Sequence, residues 1–376
     1  MIRAPVAVKA IAAHRRRALV GWGLVIVGGP LACWILNVLM QAALLAWPTS
    51  MLPYASQVLL NIGVNATLAV SLQLINGYTG QFSLGHAGFM AVGAYGMAAL
   101  MFFVRPLVLG PTPAPFLAAV WFGAVMVLCG LLAAVFGLLV GIPSLRLKGD
   151  YLAIVTLGFG EIIRVIILNT ESLGGARGFT DLDTLPNALF WVLLLLLAAV
   201  VVTRNMVAST RGLAFLAVGT DEIAAEAIGI NTTRYKVSAF VVGAFFAGAA
   251  GAVYGGVQAY LNPSVFDFVK SMEVVAMVVL GGLGSIPGAV VAAFGLTLLP
   301  ELLRGGFMPA VLHDAIPDRV WSALPNWRMV IYSLILIGAM LIQSRGAGRA
   351  RGRKRAAAAE EPKVPPTAPA PTGAGG

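Results

Sequence analysis

Few side chains in this sequence are equipped for chemistry, and those few lie in apolar surroundings. Gln81, Ser83 and His86 sit in the stretch 76–100, which also holds six glycines, one of them Gly80. Lipid offers a polar group no partner, so these side chains must face protein or water. Two arrangements satisfy that condition. In one, Gly80, Gln81, Ser83 and His86 contact a polar solute, with the glycine-broken backbone supplying further hydrogen-bonding groups, as in transporters with discontinuous helices. In the other, Ser83 and His86 join neighbouring helices, while the pairs Ala87/Ala91 and Ala94/Ala98 form a close-packing face.

Glu161 and Arg164 make a second constellation. Three residues apart on a helix, they share a face and can pair. An intramembrane charge costs about 2.5–3.5 kcal/mol on insertion scales, and pairing reduces that cost. The pair is either a polar gate or pathway element, or else a structural clamp between helices, or a pair near a water-accessible helix end. A third signal is the polar island 204–236. Within it, Asp221-Glu222-Ile223-Ala224-Ala225-Glu226-Ala227-Ile228-Gly229-Ile230 puts good helix formers before a terminating glycine, which predicts a short amphipathic helix. It is either an ordinary solvated loop or a docking element for a cytoplasmic partner.

Other chemistry finds no support. The chain has no Gly-x-x-x-x-Gly-Lys-Ser/Thr loop, since Lys270, the one lysine followed by Ser or Thr, is preceded by Val269. Any ATP hydrolysis must therefore belong to another subunit. His14, His86 and His313 are isolated from one another, and Cys33 and Cys129 both lie in apolar runs, so neither a metal site nor a disulfide framework is indicated. No set of nucleophile, base and metal converges, and no enzyme is expected.

The elements that must position these residues follow from composition. Hydrophobic residues make up 59% and charged residues 11% of the 376, against about 25% charged in soluble domains. Mean hydropathy is +0.90, and the fold class is an all-α polytopic integral membrane protein. A ruler of about 20 apolar residues per crossing finds runs at 18–47, 54–75, 81–104, 115–142, 151–168, 188–203, 237–260 and 329–342. The run 271–303 is interrupted by glycines at 281–288 and counts as two short passes, which gives ten transmembrane helices including broken or re-entrant segments. The glycine-rich interruption at 281–288 echoes the one at 77–88. The first run is too long for the core of a cleaved signal and is expected to be a retained anchor.

The net charge of +10 is concentrated at the two ends of the chain. Beside apolar spans the positive-inside rule explains such clusters without invoking nucleic acid, and puts both ends in the cytoplasm. The expected organisation is a basic cytoplasmic N-terminus at 1–17, a permease-like membrane domain at 18–344 and a disordered, basic, Pro-rich cytoplasmic tail at 345–376. The loops 144–148 and 204–236 then fall inside, and 169–187 and 305–327 outside.

Three long motifs carry a family resemblance. They are Gly77-Tyr78-Thr79-Gly80-Gln81-Phe82-Ser83-Leu84-Gly85-His86-Ala87-Gly88-Phe89, then Arg146-Leu147-Lys148-Gly149-Asp150-Tyr151-Leu152-Ala153-Ile154-Val155-Thr156-Leu157-Gly158-Phe159-Gly160-Glu161-Ile162-Ile163-Arg164, and Ala224-Ala225-Glu226-Ala227-Ile228-Gly229-Ile230-Asn231. Together with the glycine turn at 281–288, they resemble the permease subunits of branched-chain amino acid ABC importers, of the LivM type, over residues 54–303. The resemblance implies a multi-pass protein of the bacterial inner membrane that meets only lipid and protein, no nucleic acid. It implies as partners a LivH-like second permease, two cytoplasmic ABC ATPase subunits of LivG/LivF type, and a periplasmic amino-acid-binding protein.

This chain would then bind no cofactor, ATP and Mg being used by the ATPases. Related systems carry urea, amides or aromatic acids, which stay open as substrates. An ion-coupled secondary transporter would leave the polar island unexplained. ABC permeases carry a Glu-Ala-Ala-x-x-x-Gly signature where they dock on the ATPase. Ala224, Ala225 and Gly229 keep that register and Glu226 lies within it, but Ile223 replaces the acidic residue and Glu222 comes one position early. The expected consequence is that a large charged residue at Ala225 blocks docking, and that a β-branched one at Gly229 hinders the left-handed turn.

Overall fold

The computed structural model describes residues 28–45, 52–110, 114–144, 150–180, 182, 185, 187–258 and 260–302, and beyond these 330, 333–334, 336–338 and 341. The N-terminus at 1–17, the loop at 145–149, the segment 305–327, the tail at 345–376 and most of the run 329–342 lie outside the described residues. The chain divides into two compact units, Met1–Pro325 and Asn326–Gly376. In the second, the described residues are helical.

The first unit is built from helices, as lipid requires of a chain whose backbone groups must find partners within their own segment. In order they are α1 (Gly29–Leu45), α2 (Leu52–Leu72), α3 (His86–Ala99), α4 (Pro115–Ser144), α5 (Asp150–Leu168), α6 (Ala188–Ala208), α7 (Gly212–Thr220), α8 (Glu222–Ala227), α9 (Thr232–Val257), α10 (Phe268–Gly281) and α11 (Ile286–Leu302). α2 continues into a π turn at Gln73–Tyr78, and α3 into another at Leu100–Val104. The β pairing among the described residues is one antiparallel bridge between Phe179 and Leu261. Six helices are long and apolar enough to cross a membrane, namely α2 to α6 and α9 with their extensions. α10 and α11 have 14 and 17 residues, about 21 and 26 Å of helix at 1.5 Å per residue.

The hydropathy runs locate these helices but misplace some of their ends. The run from 81 does not begin as helix: 81–85 is irregular, and α3 starts at His86. The amide N–H of Ser83 donates to Asn76 Oδ1 and that of Leu84 to Thr156 Oγ1, which anchors this segment to the π turn and to α5. α9 begins at Thr232 rather than 237, because Asn231 caps it by accepting from the N–H of Arg234 at 3.0 Å.

α9 is the centre of the bundle, packed against α2, α3, α4 and α6. Its buried residues include a run of small ones, with Gly243, Ala244, Ala247, Gly248, Gly251 and Ala252 inside. A Cβ on Gly93 of α3 would lie 1.8 Å from the carbonyl oxygen of Gly248, and one on Gly251 would lie 2.0 Å from that of Met90. The two helices therefore touch backbone to backbone, the geometry that small residues permit in membranes. Ala87, Ala91, Ala94 and Ala98 are all buried, as a close-packing face requires.

One end of the bundle gathers the π turn at Tyr78, the start of α3, the start of α5, α7 and the α10–α11 turn. Gly85 abuts Thr156, Gly219 abuts Tyr78, and Gly77 abuts Gly284. The opposite end carries the Phe179–Leu261 bridge and the hydrogen bond from the Tyr260 hydroxyl to the Arg177 carbonyl. Successive long helices thus alternate in direction.

Packing this tight predicts a steep cost. Gly93→Val should overfill the α3–α9 contact and lower stability by about 2 kcal/mol or more. Gly158→Ala, with no atom within 4 Å of the new Cβ, should be neutral. Thermal unfolding of the detergent-solubilised protein separates the two, and equal melting of both variants would contradict the contact.

Candidate functional site

The break between α2 and α3 is where the polar residues collect. Gly80 turns the chain with φ of +66°, a conformation open to glycine, and the backbone of Gly219 from α7 lies directly against it. Gln81, Ser83 and His86 then turn inward and are buried, joined by Gln73 and Asn76 from the preceding π turn. Gln73 Nε2 donates to the Gly282 carbonyl at 2.7 Å and Gly77 abuts Gly284, so the two glycine-rich interruptions that echo each other in sequence meet in space.

His86 Nε2 lies 2.8 Å from Ser71 Oγ, which is also within hydrogen-bond distance of the Leu68 carbonyl. His86 Nδ1 has no partner among the described residues, and neither do Gln73 Oε1, Asn76 Nδ2, both amide atoms of Gln81 or Ser83 Oγ. Six of the eight buried unpartnered side-chain atoms among the described residues therefore fall between residues 73 and 86.

The polar island forms the expected short helix. Asp221 caps α8 by accepting from the N–H groups of Ile223 and Ala224 at 3.0 and 3.1 Å. It ends in a Schellman turn, with Ile230 N–H donating to the Ala225 carbonyl and Gly229 N–H to that of Glu226, Gly229 lying at φ +84°. Two contacts fasten it to the base of α9: Lys236 pairs with Glu222 at 2.6 Å, and the Thr232 hydroxyl donates to Glu226 at 2.8 Å. Ala225 is 2% exposed and packs inward, so a bulky residue there disturbs the seat of α8. Ala224 is exposed, and the outward apolar face consists of Ile223 and Ile228, 73% and 74% exposed.

Glu161 and Arg164 pair with each other at 2.8 Å on α5. The bond stays within one helix and so clamps no second helix of this chain. Glu161 is the twelfth of the 19 residues of α5, far from either end, and the pair remains 35% and 27% exposed beside exposed Ile154, Ile162, Val165 and Ile166. It does not join the polar cluster. Among the described residues no group of three His, Cys, Asp or Glu could hold a metal.

The sequence model of the family described as "Branched-chain amino acid transport system / permease component" matches residues 54–342. The chain belongs to this family. It is 34% identical over 293 residues to the high-affinity branched-chain amino acid transport system permease protein LivM of Salmonella typhimurium, covering 69% of this chain and 66% of that protein. Against LivM of Escherichia coli K12 the identity is 35% over 271 residues, 63% of this chain and 60% of the relative. LivH of Salmonella typhimurium is 32% identical over 145 residues, 38% of this chain and 46% of the relative. The chain thus spans about two thirds of the length of the LivM proteins that it matches. No solved structure matches it.

This family member also carries a polar network that the hydropathy runs conceal. Lys270 Nζ donates to Glu273 and to Asn65 Oδ1, each at 2.9 Å, and Asn65 Nδ2 donates to Thr297 Oγ1 at 2.9 Å. The network ties α2, α10 and α11 together, and the Tyr54 hydroxyl donates to Glu301 between the same α2 and α11. Its signal in the sequence is a Lys-x-x-Glu pair beside an apolar run, the same spacing as Glu161 and Arg164.

Lys270→Met should strand Glu273 and leave Asn65 one bond short. A destabilisation of about 1–3 kcal/mol is expected, below the range for fully buried pairs because both side chains keep some exposure. Lys270→Met with Glu273→Gln should recover part of that loss. Unfolding of the three proteins in detergent checks the sign, and a double variant that sums the two single losses would dismiss the coupling.

Proposed function

We propose that this chain is the membrane-spanning permease subunit of an ATP-driven importer. It takes up branched-chain, hydrophobic amino acids delivered by an extracytoplasmic binding protein, in the bacterial cytoplasmic membrane. Family membership supports the reading, and one contact carries its mechanism: Gly219, three residues before α8, rests on the Tyr78–Gly80 turn at the foot of the polar cluster. The end of the bundle that holds α7 and α8 faces the cytoplasm in this reading. There Ile223 and Ile228 of α8 meet the ATPase, and Ala224, Ala225, Glu226 and Gly229 shape and seat the helix. ATP and Mg act in the ATPase subunits, and this chain contributes no catalytic group.

The polar cluster is the proposed path. Leaving a buried donor or acceptor unmet costs about 1–3 kcal/mol, so six such atoms would cost on the order of 10 kcal/mol, as much as the whole stability of a typical domain. Water, or the polar ends of a passing amino acid, offsets that cost when it enters between Gln81, Ser83 and His86. A movement of α8 reaches the cluster through Gly219 and Gly80, converting closure of the ATPases into exposure of the path.

A second permease, LivH-like, covers the outward face of α5. That face displays the Glu161/Arg164 pair far from either helix end, a costly thing to leave to lipid. With α10 and α11 as short passes, the chain crosses ten times and both ends lie in the cytoplasm.

Topology and coupling are tested separately. A cysteine at Thr180 should react with an impermeant reagent in intact cells and one at Thr220 should not; labelling at Thr220 would reverse the orientation. Gly219→Val puts a side chain where even a Cβ lies 2.3 Å from the Tyr78 carbonyl oxygen. In the complete transporter reconstituted with its binding protein, this variant should keep its ATPase subunits yet lose leucine uptake at least tenfold. Normal uptake would remove Gly219 from the mechanism, and stimulation of ATP hydrolysis by a binding protein loaded with some other solute, but not with leucine, would overturn the substrate.

A further inference from the structure

A cleft of about 660 Å³ opens where the last turns of α6, the connector 209–211, α7 and the first turns of α9 meet. Arg211 and Arg234 stand at its walls, both exposed, and among the described residues neither is paired with a carboxylate. Among the described residues, no Asp or Glu lines the cleft. The nearby Lys236 is already neutralised by Glu222, so the unspent charge is that of the two guanidinium groups. Asn205 and Thr210 add an amide and a hydroxyl, while Ser209 is committed to its own turn, donating to the Met206 carbonyl and accepting from the N–H of Gly212.

The other wall is apolar. Val202 and Met206 come from α6, the least buried of the six long helices, and Phe215 and Tyr235 meet edge to face at 5.2 Å. α6 and α9 are both full-length spans, so their adjoining ends lie at headgroup depth whichever side of the membrane they occupy. We propose that this cleft holds the phosphodiester headgroup of an anionic phospholipid, with Arg211 and Arg234 on the phosphate and the start of an acyl chain along Val202 and Met206. Guanidinium groups bind phosphate oxygens through paired charge-assisted hydrogen bonds. A basic pocket between spans with an apolar side open to lipid suits a headgroup better than a free ion. The occupant would brace the joint between α6 and α9 on which α7 sits. The inference rests on the chain being membrane-spanning and on no particular substrate.

The test uses the purified full-length protein in its transporter complex, stripped of lipid and titrated with phosphatidylglycerol or phosphatidylcholine under native mass spectrometry. Wild type should retain at least one phosphatidylglycerol that Arg211→Gln/Arg234→Gln holds tenfold or more weakly. Arg211→Lys/Arg234→Lys should fall between them, and phosphatidylcholine should not distinguish the three. Inorganic phosphate at millimolar concentration should not displace the lipid. Equal phosphatidylglycerol retention in all three proteins overturns the site, and so does displacement by phosphate, which would make it a free-anion site. Loss of the ATPase subunits from the glutamine variant with lipid retention unchanged also overturns it, by assigning the arginines to a protein contact. If the double glutamine variant does not assemble, Arg234→Gln alone carries the same comparison.

Discussion

The main-chain contact between α3 and α9 governs what the rest of the bundle can do. At Gly93/Gly248 and Met90/Gly251 there is no room for even one more carbon, so the two helices cannot slide apart or roll without losing the contact. α3 begins at the polar break and α9 begins at the clamp on α8. Locking the two helices along their length therefore fixes the distance between the break and the clamp. Between them lies α7, nine residues long, seated through Gly219 on the turn at Gly80.

Much of this was legible in the sequence because lipid simplifies the grammar. A span must be helical and apolar, and a polar interruption must have a protein or solvent partner. That logic located the long helices, the glycine-rich break, the pairing of Glu161 with Arg164 and the short helix that ends at Gly229. It placed the start of α3 five residues early, because the anchoring of Ser83 and Leu84 by Asn76 and Thr156 is tertiary and leaves no trace in hydropathy. Register in a motif says which residues recur together, whereas which of them face inward depends on how α8 lies on α9.

The Lys270, Glu273, Asn65 and Thr297 network shows a different limit. Asn65 is more than 200 positions from the other members, and each alone is a modest blemish in an apolar run. Only the fold shows that Asn65, in the middle of α2, gives one bond to α11 and takes one from α10. Likewise the meeting of the two glycine-rich interruptions, through Gly77 and Gly284, gives physical content to what was merely a similarity of composition.

The way α8 is fastened has a further consequence. Lys236 and Thr232 hold Glu222 and Glu226 from within the first five residues of α9, a helix of 26 residues. At 1.5 Å per residue that helix is about 39 Å long, and just beyond its far end Leu261 is stitched to Phe179. The clamp on α8 and the Phe179–Leu261 stitch thus sit at the two ends of one continuous helix, so the position of either end is tied to that of the other.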